Sequence, residues 1–188
     1  MKTIGLTKQL MTALAASLFG AIAWAGYADD RAEIENISNK YMVAVDAGDI
    51  ETVMSTWADD GVLEWVLGTE KGKAAIRKAM SNFGGARPVN IPEGAKSRPR
   101  TRHQIINHVI DVSGNTAKST AYWFAFTNNT PQGDVQLLYF GHYEDEMAKV
   151  NGKWLFKKRH VYNESRDNRA VFYPGLGEKD PRKKPAAK

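Results

Sequence analysis

From Asp29 to Asp46 the apolar residues Ile34, Ile37, Tyr41 and Val45 recur at the 3.6-residue period of an amphipathic helix. Asp29 or Asp30 stands where an N-cap belongs, and Gly48 where a helix ends. Residues 50–57 predict a second short helix, closed by the turn signal Ala58-Asp59-Asp60-Gly61. A strand is expected over 62–67 and a third helix over 72–83, with Ala75, Ile76, Ala79 and Met80 on one stripe. Residues 84–100, rich in Gly, Pro and basic side chains, read as a loop. Beyond it the period falls to two over 101–112, 116–127, 134–150 and 153–163. The breaks at Ser113-Gly114-Asn115, residues 128–133 and Asn151-Gly152 are turn signals, and Asn-Gly is a strong hairpin signal.

Helices first and a meander after them predict an α+β fold. N-terminal helices pack on a strongly curved, mostly antiparallel sheet, a cone-shaped α+β barrel enclosing a pocket. No internal repeat interrupts it.

The first 25 residues change the picture of where the domain starts. Lys2 and Lys8 precede an apolar run that closes on Ala23-Trp24-Ala25, the layout of a secretory signal peptide, with cleavage expected after Ala25. The run from Leu10 to Ala25 is shorter than the ~20 residues that cross a bilayer. The expected organisation is a signal peptide over 1–25, one domain over 29–165 and an extension over 166–188 whose basic end is disordered. Val171, Phe172 and Tyr173 are expected to cover the pocket mouth or a neighbouring subunit. A periplasmic or secreted protein follows, with no membrane attachment once the signal is removed. There is no cysteine, hence no disulfide and no thiol nucleophile.

A sequence pI near 9.3 invites a nucleic-acid reading, so the charge has to be located. Between Gly26 and Pro174 the chain carries 19 basic and 19 acidic residues; the excess lies in the signal and the tail. No clustered phosphate-binding stripe is implied, and no nucleic-acid partner is expected.

Two of the four histidines, His103 and His108, fall in one strand. Residues an odd number apart point to opposite faces of a regular strand, so these two do not share a site if the strand is regular. His142 and His160 lie on later strands. No metal-ligand spacing occurs, and no metal is expected. Each imidazole also reads as a half-buried ring satisfied by a backbone carbonyl.

The segments "YMVAVDAGDIETVMSTWADDGVLEW", "GKAAIRKAM", "RHQIINHVIDVSGNTAKSTAYWF" and "GHYEDEMAKVNGKWLFKKRHV" together resemble the SnoaL-like branch of the nuclear transport factor 2-like superfamily over residues 29–163. Within it the pattern is most similar to elimination enzymes: scytalone dehydratase, hexachlorocyclohexane dehydrochlorinase and bile-acid dehydratase. The resemblance implies His103 as a strand-borne base oriented by Asp46 near the end of the first helix. It places Tyr41, Trp65 and His160 at pocket positions. Beside the resemblance, Trp65, Tyr122, Phe124 and Phe126 read as an aromatic lining suited to a cyclic or apolar substrate, and Tyr41, or His142 or His160 where they point inward, as the acid for the departing group. The second catalytic histidine of scytalone dehydratase and the strand aspartate of the bile-acid enzyme have no clear counterpart, residues 122–125 occupying that region. The ketosteroid isomerase base falls at Trp65, which cannot abstract a proton.

An aspartate bound to one imidazole nitrogen fixes the other as proton acceptor. The expected function is therefore a cofactor-independent, dehydratase-type lyase acting on a small hydrophobic or cyclic substrate. An isomerase or cyclase using the same base, and a non-catalytic small-molecule binding protein, are the alternatives. The resemblance also implies a homodimer or homotrimer.

Overall fold

A computed structural model describes residues 4–81, 83, 100–130 and 132–165, with side chains from residue 26 onward. The loop expected over 84–100, except Arg100, and the extension over 166–188 with its apolar Val171-Phe172-Tyr173 lie outside the described residues.

Helix α1 spans Ile4–Ala47 and α2 Ile50–Ser55; β1 is Trp57–Trp65, β2 Gly68–Lys71, and α3 Lys73–Met80. Four long strands follow: β3 Thr101–Ser113, β4 Thr116–Thr127, β5 Gln136–Val150 and β6 Lys153–Tyr162. One six-stranded sheet is built in the order β2-β1-β6-β5-β4-β3, curled but unclosed, with every pair antiparallel except β1 with β6.

The first helix does not start at Asp29; it runs unbroken through that position. Asp30 is not an N-cap but an anchor, accepting hydrogen bonds from Trp154 Nε1 (2.9 Å) and Lys149 Nζ (2.5 Å) at the β5–β6 turn. Those bonds hold the Asp30 carboxyl below its ordinary pKa, Lys149 contributing most. Among the described residues no helix is long and apolar enough to cross a membrane.

The helix ends as Gly48 foretold. Gly48 takes φ +76°, its N–H reaches Val45 O (3.2 Å), and Asp49 N–H reaches Ala44 O (2.9 Å), the two bonds of a Schellman cap. Asp49 then caps α2 through Thr52 N (3.0 Å). This rigid corner fixes the last turn of α1, where Asp46 sits.

Two sequence expectations fail around β1. Ala58-Asp59-Asp60-Gly61 is not a turn but part of the strand, which begins at Trp57. The register with β6 shifts between Trp57 and Val62, so the exposed Asp59 and Asp60 occupy an irregularity while Trp57 and Leu63 stay buried. The short β2 was not anticipated, having no alternating apolar residue to reveal it.

The core lies between the buried stripe of α1 and the concave face of the sheet, around Ile34, Met42, Val45, Trp57, Trp154 and Phe156. Along β4 the inward residues are mostly small, Ala117, Ser119, Ala121 and Ala125, with Trp123 the one large ring. Beneath them Arg159 and Asp145 form a fully buried ion pair, Nε and Nη2 each 2.8 Å from a carboxylate oxygen. Burial works against this guanidinium's charge, yet Asp145 outweighs it and holds the Arg159 pKa above its ordinary value.

Candidate functional site

β3 is an edge strand, so alternate backbone N–H groups on its outer side have no sheet partner. Asp46, on the last turn of α1, meets one of them. Its Oδ2 accepts from His103 N (2.8 Å), and its Oδ1 lies 2.6 Å from His103 Nδ1. Both carboxylate oxygens are thus occupied by a single residue. A carboxylate near a helix C-terminus opposes the helix dipole, and these two donors compensate it. The side chains are 7% and 11% exposed, so the pair is shielded from water.

With Nδ1 facing Asp46, the opposite ring edge is left for the cavity, and Nε2 makes no hydrogen bond among the described residues. The cavity encloses about 670 Å³ including its open mouth. Its wall is largely aromatic and aliphatic: Tyr41, Trp65, Phe83, Trp123, Tyr139 and Tyr143 are the rings, and Asn163 is the polar side chain beyond His103. Trp123 lies 6.1 Å from the His103 ring and stacks at 5.8 Å on Tyr143. Burial pushes the hydroxyls of Tyr41 and Tyr143 above the ordinary tyrosine pKa, so both remain protonated donors at neutral pH.

The cavity wall therefore brings together His103, Tyr41 and Trp65, with Asp46 bound to the His103 ring from behind. Tyr122, His142 and His160 are not in it. Tyr122 is 50% exposed on the sheet face turned away from α1, directly opposite His142 across β4–β5. His142 stacks on Tyr162 (4.2 Å) and bonds to Glu164 (2.5 Å). His160 stacks on the other side of Tyr162 (3.8 Å), with Nδ1 3.3 Å from Glu64. Phe124 likewise lies on that outer face, packed between Phe126 and Phe140. The concave side next to the helix has room on β4 for small residues and one tryptophan, so the other large rings turn outward.

A bulge overturns the expectation that the two strand histidines face opposite ways. Asn107 adopts φ +52° and the register slips between Ile106 and Val109, which inserts one residue. Residues 103, 105, 108, 110 and 112 then share the concave face, so His108 points inward with His103. They do not form a common site. His103 holds Asp46, whereas the His108 imidazole is influenced by Asp145 and Arg159 deeper in the core, and its Nε2 is buried with no partner among the described residues. No cluster of three His, Asp or Glu suited to a metal ion occurs among the described residues.

Residues 26–160 match the SnoaL-like domain model. The chain belongs to the SnoaL-like family. No curated protein matches the sequence of this SnoaL-like chain. Among solved structures, an NTF2-like protein with a cystatin-like fold from Novosphingobium aromaticivorans superposes with a TM-score of 0.66 at 21% identity, over 82% of this chain and 95% of the other. A protein provisionally named scytalone dehydratase, from the same organism, gives 0.58 at 22% identity over 73% and 85%. ActVI-ORFA from Streptomyces coelicolor gives 0.58 at 16% identity over 72% and 97%. At such identities the likeness is one of fold.

Cavity residues that the sequence did not single out include Phe83, Trp123, Tyr139, Tyr143 and Asn163. The signal for Trp123 was its place among Ala117, Ala121 and Ala125, since small residues mark the crowded concave face. Asn163 follows Val161 at the inward spacing of β6.

Proposed function

We propose that this SnoaL-like protein is a cofactor-independent lyase that eliminates water from a small hydrophobic or cyclic substrate. The observation that carries the reading is the 2.6 Å contact of Asp46 Oδ1 with His103 Nδ1 at the wall of an apolar cavity. Asp46 fixes Nδ1 as the protonated nitrogen, so Nε2 presents its lone pair. Nε2 takes a proton from the carbon next to the one bearing the hydroxyl. The C–H electron pair becomes the new double bond and the C–O bond breaks. The imidazolium, stabilised by Asp46, holds the one proton that the hydroxyl needs to leave as water, so one ring can serve first as base and then as acid. The aromatic wall excludes bulk water and strengthens each electrostatic contact.

The test is turnover of a simple substrate of this class, 3-hydroxycyclohexanone, followed by the ultraviolet absorbance of the conjugated enone. Removing a positioned general base costs about 10²–10⁴-fold in rate. His103→Ala and Asp46→Asn should each lose activity on that scale while their circular dichroism and melting remain those of a folded protein. Wild-type levels of turnover in either variant would remove the mechanism. Tight binding of cyclic ligands with no turnover across a panel of hydroxylated ring compounds would instead mark the chain as a binding protein.

A further inference from the structure

The inward alternation of β6 continues past its last hydrogen-bonded residue. Val161 and Asn163 line the cavity, while Tyr162 and Glu164 turn to the outer face. Asn163 is 92% buried, being 8% exposed, and a buried carboxamide calls for partners at both ends. Its Oδ1 accepts from Ser165 Oγ at 2.7 Å. With that bond the oxygen is used, and the amide N–H groups have no acceptor among the described residues. Trp65, in the same cavity wall, has a buried indole N–H with no acceptor among them either. The wall thus offers unmatched donors.

The turn that carries Asn163 is held from outside. Glu164 bonds to His142 Nδ1 (2.5 Å), His142 stacks on Tyr162, and Ser165 N–H donates to Phe140 O (3.3 Å). Three consecutive residues therefore grip both faces of the sheet, with Asn163 as the inner jaw.

We propose that Asn163 is the cavity's fixed hydrogen-bond donor for an oxygen acceptor on the ligand, oriented by Ser165 and steadied through Glu164 by His142. The ligand is an apolar ring compound bearing a carbonyl or equivalent acceptor. This rests on the reading of the cavity as the binding site, but not on the chemistry of His103. A neutral carboxamide suits this role because it binds a carbonyl without bringing a charge into an apolar hollow, and fixed donors need no rearrangement when the ligand enters.

The probes are 1-indanone and indane, rings of the same frame with and without the carbonyl. Calorimetric titration of the wild type should give about tenfold tighter binding of 1-indanone, the worth of one hydrogen bond. Asn163→Ala, or Asn163→Leu at nearly constant volume, should erase that preference and leave the indane affinity in place. Ser165→Ala and His142→Phe should reduce it. In the infrared, the carbonyl band of bound 1-indanone should move to lower frequency in the wild type and return in Asn163→Ala, a change that mere loss of packing does not produce. Equal affinity of the two probes, failure of 1-indanone to bind, or a band shift that survives Asn163→Ala overturns the proposal. Preference for 1-indanone without turnover of 3-hydroxycyclohexanone would sink the lyase reading alone; turnover without the preference would sink the role of Asn163 alone.

Discussion

Cutting the buried ion pair beneath the cavity should cost more stability than any exposed charge in the molecule. Arg159 is 1% exposed and Asp145 3%. Two hydrogen bonds of 2.8 Å join them, and the guanidinium lies 4.6, 4.2 and 4.1 Å from the rings of Tyr41, Tyr143 and Phe156. In Asp145→Ala the guanidinium keeps its charge, loses both bonds and has no water to replace them; its Nη1 already lacks a partner among the described residues. Removing one member of a buried pair costs roughly 3–5 kcal/mol, and in a domain of this size that lowers the melting temperature by about 6–20 °C. Arg159→Met should cost a similar amount, since Asp145 then keeps only Ser119 Oγ at 3.4 Å. The double variant, apolar at both positions, should be better than either single, because no unpaired charge remains buried. Urea unfolding of the four proteins closes this cycle. An Asp145→Ala protein within about 1 kcal/mol of the wild type, or a double variant as destabilised as the two singles added together, would refute the reasoning. Tyr41 and Tyr143 rest on Arg159 and also line the cavity, so the single variants should lose ligand affinity as well.

Burial holds the His108 imidazole below its ordinary pKa of 6.5, with Asp145 and Glu35 opposing the shift and Arg159 and Arg31 reinforcing it. The unfolded chain therefore takes up the proton first: this contribution to stability is complete above pH 6.5 and falls as the pH drops below it, and urea midpoints of His108→Gln should fall less steeply there than those of the wild type. At Gly141 a Cβ would stand 1.8 Å from Tyr162 O and 3.1 Å from the Trp123 ring, so Gly141→Ala must displace β6 or the cavity wall; the expected cost is about 1–3 kcal/mol or more in urea unfolding, and an unchanged midpoint would contradict the close approach. We also propose export with cleavage after Ala25: intact-mass spectrometry of protein recovered from outside the cytoplasm should show a chain beginning at Gly26, and a mass retaining residues 1–25 would rule it out.

Much of the fold was legible because its signals are local. The amphipathic period of α1 up to Asp46, Gly48 as its stop and Asn151-Gly152 as a hairpin turn each follow from the conformational demands of a few neighbouring residues. The parts that escaped depend on partners distant in sequence. Asp59 and Asp60 look like turn residues until β6 runs beside them and Lys157 pairs with Asp60. β2 exists only as a partner of β1.

The site divides along the same line. That Asp46 meets His103 was readable from a resemblance, and the geometry has a cause the chain itself supplies: a helix stopped by Gly48 sets its last carboxylate beside the free N–H of an edge strand. Which way the other candidates face was not readable, because side-chain direction in a strand is a count that starts from an unknown origin and resets at every bulge. One residue in the left-handed region, Asn107, turns His108 from the outer face to the core. Crowding supplies the missing origin. On β4 the alternation of Ala117, Ser119, Ala121 and Ala125 with Lys118, Thr120, Tyr122 and Phe124 identifies the narrow side, since a concave sheet closed by a helix has volume for small residues. Carried across the pairing of Trp123 with Gly141, the same count sends Tyr143 inward and Tyr122 and His142 outward. Residue size along a central strand is thus a better guide to a buried pocket than the aromatic character of the residues themselves.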